Sequence, residues 1–181
     1  MIIYTQFGPN TRNWSSELLV SIAKDCYIPA FEGPPWYEIG EWTIDGVVSD
    51  ITSQLGKKGA IGFIALDSGK VVGCIFGYPM GKTELSADLG INVSIAGMYL
   101  DEICVAPNYH GQQIGSNLYQ LWSKKVEGKV VIARTMTNPP TIVYPWFLKM
   151  GYTVIAKYND DEKGRVILMK DLSRLPNWMI R

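Results

Sequence analysis

The spacing of hydrophobic positions changes character at Lys57. Before it, two stretches carry apolar residues at helical intervals: Leu18, Leu19, Ile22, Ala23 and Cys26 form one face, and Ile44, Val47, Val48, Ile51 and Leu55 form another. Asn13 is placed to cap the first helix and Pro29 to stop it. Thr43 is placed to cap the second, and Gly56 to end it. Ile2–Thr5 predicts a short first strand, and a Pro-rich aromatic run, Phe31–Trp42, separates the helices. After Lys57 the runs become β-rich. Ala60–Leu66 and Lys70–Tyr78, joined by Asp67-Ser68-Gly69, predict an antiparallel hairpin. A polar loop over Pro79–Ile95 leads to a strand over Met98–Val105, a helix over Gln113–Val126 and a strand over Val130–Thr135. A proline-interrupted helical region follows, then a closing hairpin of Tyr152–Tyr158 with Arg165–Lys170 across Asn159–Gly164. This order predicts an α/β fold in which one mixed sheet carries helices on its faces. Residues 1–181 are expected to form a single domain, mainly helical over 1–58, with the sheet over 60–170.

Composition narrows the function classes. With 47% hydrophobic and 19% charged residues, a chain of 181 residues can bury a core without a disulfide or a metal. Seventeen Lys and Arg balance seventeen Asp and Glu, so the total charge gives no support for nucleic-acid binding. Cys26, Cys74 and Cys104 are odd in number, far apart in sequence and set among apolar residues, the pattern of buried free thiols in a reducing compartment. No thiolate-ligand spacing is present and His110 is the single histidine, so no metal site is expected. The start, MIIYTQFGPNTRNW, lacks the features of a secretory signal, and no apolar run approaches the roughly 20 residues of a membrane span. These features predict a cytoplasmic protein with no membrane partner.

The densest chemical signal is VAPNYHGQQIGSNLYQLW, residues 105–122. Pro107 stops the strand, and Ile114, Leu118, Leu121 and Trp122 then mark a helix face. A helix that begins just past a strand end presents unpaired N–H groups and its positive dipole end. With Gly111 and Gly115 relieving crowding, the amides of about residues 111 to 116 are placed to receive an anion. An ordinary strand-turn-helix connection has the same spacing. A phosphate-loop site is disfavoured because the Lys-Ser or Lys-Thr ending is missing.

This segment resembles the acyl-CoA signature of the GCN5-related N-acetyltransferase superfamily. Val105 and Pro107 match the strand end, and Gly111, Ile114, Gly115, Ser116 and Leu118 match the common Gly-x-Gly-Ile-Gly-Ser-x-Leu form. His110 stands where Arg or Gln is usual, and Gln113 replaces the first signature glycine; a positive φ at Gln113 would impose strain. The likeness covers roughly 60–170 and includes Asn138 and WFLKMGY at 146–152. It implies an acyl-CoA N-acyltransferase fold with a mixed, mainly antiparallel central sheet flanked by helices. It also implies acetyl-CoA as cosubstrate, with the diphosphate on His110, Gly111, Gln112, Gln113, Ile114, Gly115 and Ser116. The pantetheine arm would lie along the main chain of Ile103, Cys104 and Val105, near Asn138. Asn138 could instead cap a helical turn before Pro139-Pro140, and His110 is placed to hold the loop or touch phosphate rather than to act as base.

For the chemistry, an alkylamine with an ordinary pKa of about 10.4 arrives protonated and needs a base. Glu102 shares a strand face with Leu100 and Cys104, and the family often carries a glutamate there, so Glu102 is the expected base. A strand carboxylate that merely pairs or faces solvent is the bland alternative, and it is favoured for Asp101. The family's tyrosine acid falls at Phe147, which has no hydroxyl; counting from Asn138 instead points to Tyr144. Pro145 forbids an unbroken helix here unless it lies at a helix start.

Six acids and no Lys or Arg occur from Asp25 to Asp50: Asp25, Glu32, Glu38, Glu41, Asp45 and Asp50. Glu84, Asp88, Asp101 and Glu102 extend the bias. Together with Phe31, Trp36, Tyr37 and Trp42 they suit a small cationic amine, or they form a loop with solvated acids. The expected function is direct transfer of acetyl from acetyl-CoA to a primary amine. The alternative is a catalytically inactive acyl-CoA-binding or regulatory module, and the aromatic run is compatible with a homodimer.

Overall fold

The computed structural model describes residues 1–82, 84, 95–138, 142–157 and 164–173. Asp88, Pro139-Pro140 and most of the polar loop and of the closing turn Asn159–Gly164 lie outside them. The strands are β1 (Ile2–Phe7), β2 (Ile61–Asp67), β3 (Lys70–Met80), β4 (Gly97–Val105), β5 (Val130–Met136), β6 (Thr153–Lys157) and β7 (Arg165–Asp171). They are ordered β1-β2-β3-β4-β5-β7-β6 in a mixed, mainly antiparallel sheet. Two compact units divide the chain, and β4 contributes to both.

The first unit comprises Met1–Tyr78 and Asp101–Lys125. Within it β1 pairs antiparallel with β2, and β2 with β3. The expected hairpin turn forms at Ser68 (φ 51°) and Gly69 (φ 84°), the two positive φ values that match a tight turn to strand twist. The first predicted helix differs from expectation at both ends. Its cap is Ser15, whose Oγ accepts from the Leu18 N–H at 3.2 Å. Asn13 instead donates to Thr5 Oγ1 and the Gln6 carbonyl, tying the chain to β1. Nor does Pro29 stop the helix. A short α1 (Ser16–Ser21) opens into a π-helical stretch, Ile22–Tyr27, and continues as α2 (Ile28–Glu32). The register change puts Pro29 in the first turn of α2, where a missing N–H costs no established bond. For α3 (Ile44–Leu55), Thr43 caps and Gly56 ends the helix as the pattern predicts.

Cys26, Tyr27, Ile22 and Ala23 pack with Val47, Ile51 and Leu55 of α3 and with Ile64, Cys74, Phe76 and Cys104 of the strands. The run Val71–Tyr78 is buried throughout, as a strand covered on both faces must be. Its other face receives α4 (Ile114–Lys125), whose Ile114, Leu118, Tyr119 and Trp122 are buried. Trp122 Nε1 donates to the Ile61 carbonyl at 3.1 Å, which ties α4 to the start of β2.

The second unit comprises Pro79–Leu100 and Val126–Arg181. Here Met98–Leu100 of β4 runs parallel to Val131–Ala133 of β5, and β7 pairs antiparallel with both β5 and β6. A helix α5 (Val143–Lys149) contacts β5 and includes Pro145 as its third residue, so the proline again sits in a first turn. Among the described residues, no helix is long and apolar enough to cross a membrane.

Candidate active site

The segment leaving β4 is held from several sides. Ala106 N–H donates to the Val72 carbonyl at 3.0 Å, after which Pro107–Tyr109 make one 3₁₀ turn. Tyr109 Oη donates to Asp67 Oδ2 at 3.0 Å, anchoring the turn to the end of β2. His110 Nε2 lies 2.8 Å from the Val105 carbonyl; since a carbonyl only accepts, this nitrogen carries the proton. This contact ties the His110 ring to the end of β4.

Gly111 (φ 76°) and Gln113 (φ 61°) both occupy the left-handed region just before α4. The first N–H groups of α4 have no intrahelical acceptor, and left-handed residues in the turn before them help direct N–H groups toward one concavity. An anion fits this arrangement. A Cβ at Gly111 would meet nothing within 4 Å, and one at Gly115 would meet only Val105 Cγ2 at 3.6 Å. Gly111 is needed for its φ. Gln113 adopts the same region with a side chain attached, which is the strained alternative foreseen for this position. Ile103, Cys104 and Val105 lie beyond the Met98–Leu100 ladder to β5, and Ile114, Gly115 and Ser116 form the first turn of α4.

Glu102 keeps some accessible surface, yet its carboxyl is densely surrounded by protein. Burial, reinforced by the charge of Asp101 and more weakly by Glu38, pushes its pKa up to about 8. Two donors act in the opposite direction: the Ile103 N–H, 2.8 Å from Oε1, and the hydroxyl of Tyr27. A carboxyl in this state gains its charge near neutral pH, as a general base should.

Tyr27 was not legible as a polar participant. In the sequence it extends the apolar helical face, and nothing in its neighbours marks its hydroxyl. Its ring packs at 4.7 Å from Phe31 and 5.2 Å from Trp42, and Phe31 lies 5.6 Å from Trp36. Trp42 Nε1 donates to Glu38 Oε2 at 2.8 Å, so one acid of the Asp25–Asp50 run is built into this aromatic group. Tyr37 is not part of it and stands 63% exposed. Asp25 is also withdrawn, because it accepts from Ser21 and pairs with Lys70 at 3.5 Å.

The three cysteines, distant in sequence, converge. Cys104 Sγ lies 3.5 Å from Cys26 Sγ and 3.3 Å from Cys74 Sγ, all of them free and buried. The hydrogen bonds the three thiols share, together with their burial, hold their pKa values well above normal, so they stay protonated and pack as small apolar groups.

Tyr144 and Asn138 belong to the second unit. Tyr144 is the second residue of α5, and Asn138 follows β5. Phe147 is 2% exposed and packs edge-on against Tyr152 at 4.9 Å, a core role for the residue that replaces the family's tyrosine.

A family model described as "Acetyltransferase (GNAT) domain" matches residues 58–154. Among solved structures, the chain resembles PH1933 from Pyrococcus horikoshii OT3, with a TM-score of 0.68, 18% identity and coverage of 94% of this chain and 98% of that one. An aminoglycoside 6'-N-acetyltransferase complexed with coenzyme A follows at TM-score 0.65 and 16% identity, covering 97% of this chain and 99% of that chain. The ribosomal-protein-S18-alanine N-acetyltransferase from Escherichia coli has TM-score 0.59 and 14% identity, with 97% of each chain covered. No curated protein matches the sequence.

Proposed function

The chain belongs to the GNAT acetyltransferase family, and from that premise we propose that it is an N-acetyltransferase moving acetyl from acetyl-CoA directly to a primary amine of a small cationic molecule. The observation that carries this reading is the pair of left-handed residues, Gly111 and Gln113, opening α4 where β4 ends. In the proposal the amides of Gly111, Gln112, Gln113, Ile114, Gly115 and Ser116 hold the diphosphate, with His110 bracing the loop. The main chain of Ile103–Val105, with Asn138, orients the arm. The enzyme acts as one domain over residues 1–181, with 1–58 on the acceptor side, and works in the cytoplasm, where its three thiols stay reduced.

Acetyl-CoA, when bound, supplies an acetyl thioester. Glu102 takes a proton from the ammonium group of the acceptor, and the freed nitrogen forms the new C–N bond as the C–S bond breaks. Tyr144 gives a proton to the departing sulfur and regains one from the nitrogen, which sheds its second proton as the amide forms. The raised pKa of Glu102 brings the base closer to the amine it must deprotonate, which shortens the uphill part of that transfer. Glu38 and the aromatic group around Tyr27 support a cationic acceptor. Solved relatives include enzymes named for aminoglycosides and for a protein alanine, so both amine classes belong in the assay.

Coenzyme A thiol release with acetyl-CoA and a panel of polyamines, aminoglycosides and peptides tests the reading. Turnover with a small cationic amine, with Glu102→Gln lowering kcat by about 100-fold or more at little cost to acetyl-CoA affinity, is expected. The strain at Gln113 and the missing hydroxyl at Phe147 favour the second reading, an acyl-CoA-binding module without catalysis. Tight acetyl-CoA binding with no transfer to any amine would establish that one instead.

A further inference from the structure

Cys26 on the π-helical stretch Ile22–Tyr27, Cys74 on β3 and Cys104 on β4 bring their Sγ atoms within 4.8 Å of one another, all inside the first unit. We infer that this trio is a binding site for a trivalent metalloid, arsenic or antimony in the +3 state, held as a neutral pyramidal centre with three sulfur ligands. The site is independent of the acetyltransfer reading, and testing it requires no turnover.

Ligand number and spacing select this class. Among the described residues no histidine or carboxylate joins the three sulfurs. Cys26 and Cys74 are 0% exposed and Cys104 is 6% exposed, so solvent does not surround the trio either. A structural zinc ion would therefore lack the fourth ligand it ordinarily has. Soft sulfur donors instead suit a soft centre that is content with three. With bonds of about 2.3 Å, a planar trigonal ion such as Cu(I) sets its sulfurs about 4 Å apart, whereas near-right-angled pyramidal bonds set them about 3.3 Å apart. Cys104 Sγ lies 3.5 Å from Cys26 Sγ and 3.3 Å from Cys74 Sγ, which matches the pyramid. The third edge, Cys26 to Cys74, is within 4.8 Å, so a modest shift of one side chain closes it.

Charge balance favours the same class. The trio shares its core cluster with Ile22, Ala23, Ile64, Val71 and Phe76, and the carboxyl of Glu102 acts on both Cys74 and Cys104. Three thiolates would leave two net negative charges around Cu(I) and one around Zn(II), each costly to bury in such a place. Around trivalent arsenic they leave none. Arsenous acid arrives uncharged, and each S–H proton joins a departing hydroxyl. Three As–O bonds are replaced by three As–S bonds as three waters leave, with no oxidant, reductant or free proton involved. A small neutral solute reaches buried thiols through local opening, and Cys26 belongs to a π-helical stretch, a form frequent at functional sites.

Native mass spectrometry of the full-length chain with sodium arsenite is expected to show one adduct, heavier by one arsenic less three hydrogens. Arsenic-edge X-ray absorption should show three sulfur neighbours and no oxygen. The melting temperature should rise with arsenite concentration, because the ligand binds the folded site. Cys26→Ala and Cys74→Ala each keep two thiols of the trio and should weaken arsenite binding about 100-fold or more. Where a variant does not fold, the wild-type measurements serve as the test. No adduct, an adduct that retains oxygen on arsenic, a melting temperature lowered by arsenite, or unchanged affinity in either variant overturns the inference. Displacement of arsenite by equimolar Zn(II) or Cu(I) would overturn the choice of ligand class.

Discussion

Gln113 illustrates how one residue can match a family position in role and depart from it in cost. The position requires φ near 61°, where glycine is relaxed and glutamine is not. Gln113→Gly is expected to stabilise the protein by about 0.5–1 kcal/mol, a gain reduced by the greater freedom of glycine in the unfolded chain. Denaturant unfolding with and without acetyl-CoA checks it, and a variant less stable than wild type would mean that the glutamine side chain makes a compensating contact. The identity of the residue was plain in the sequence, and so was the consequence of a positive φ. The φ itself is set by the turn between Tyr109 and Ile114, held by Asp67 and by the Val105 carbonyl, contacts that span many residues. Glu102 shows the same division. Its place on the strand face followed from alternation, whereas its raised pKa depends on the burial that the fold imposes, with smaller contributions from Asp101 and Glu38.

At the scale of elements, periodicity located nearly every helix and strand, and the errors fall where two local signals competed. Asn13 and Ser15 are both good caps, and β1 claimed Asn13 through Thr5 and Gln6. Pro29 is ordinarily a stop, but a change of helical register absorbed it. The packing of α4 on β3 is closest at Gly73, where a Cβ would lie 3.0 Å from Ile114 Cγ2 and 3.0 Å from Leu118 Cδ1. Because Ile114 opens the helix whose first amides are proposed to hold the diphosphate, Gly73→Ala should displace that nest as well as strain the core. A loss of about 1–3 kcal/mol in unfolding free energy, with a rise in the acetyl-CoA dissociation constant, is expected. Calorimetric titration alongside thermal unfolding would reveal whether the two effects travel together; unchanged affinity in a destabilised protein would show that the nest is held independently of β3.

The whole molecule registers Glu102 as a pH-dependent element of stability. A carboxyl whose folded pKa is raised to about 8, against an ordinary value near 4.3, binds its proton more tightly in the folded state. Its contribution is complete below about pH 4 and is lost as the pH rises through about 8. Glu102→Gln has no such proton to lose, so its melting temperature should gain on wild type across that window, and parallel unfolding scans at several pH values would detect the widening gap. A constant gap would mean that the carboxyl is not held protonated. As the proposed base, Glu102 thus trades stability for a poised charge. What the sequence determined by itself is the order of elements, the neutral charge balance, the turn before α4 and the family, because these depend on local periodicity, backbone conformational preference and a contiguous motif. Tertiary structure alone decided that three distant thiols share one core, that Asp25 pairs with Lys70, and that Tyr109 ties the turn to Asp67. Those are meetings of side chains far apart in the chain, and no spacing along a sequence encodes them until the strands and helices have packed.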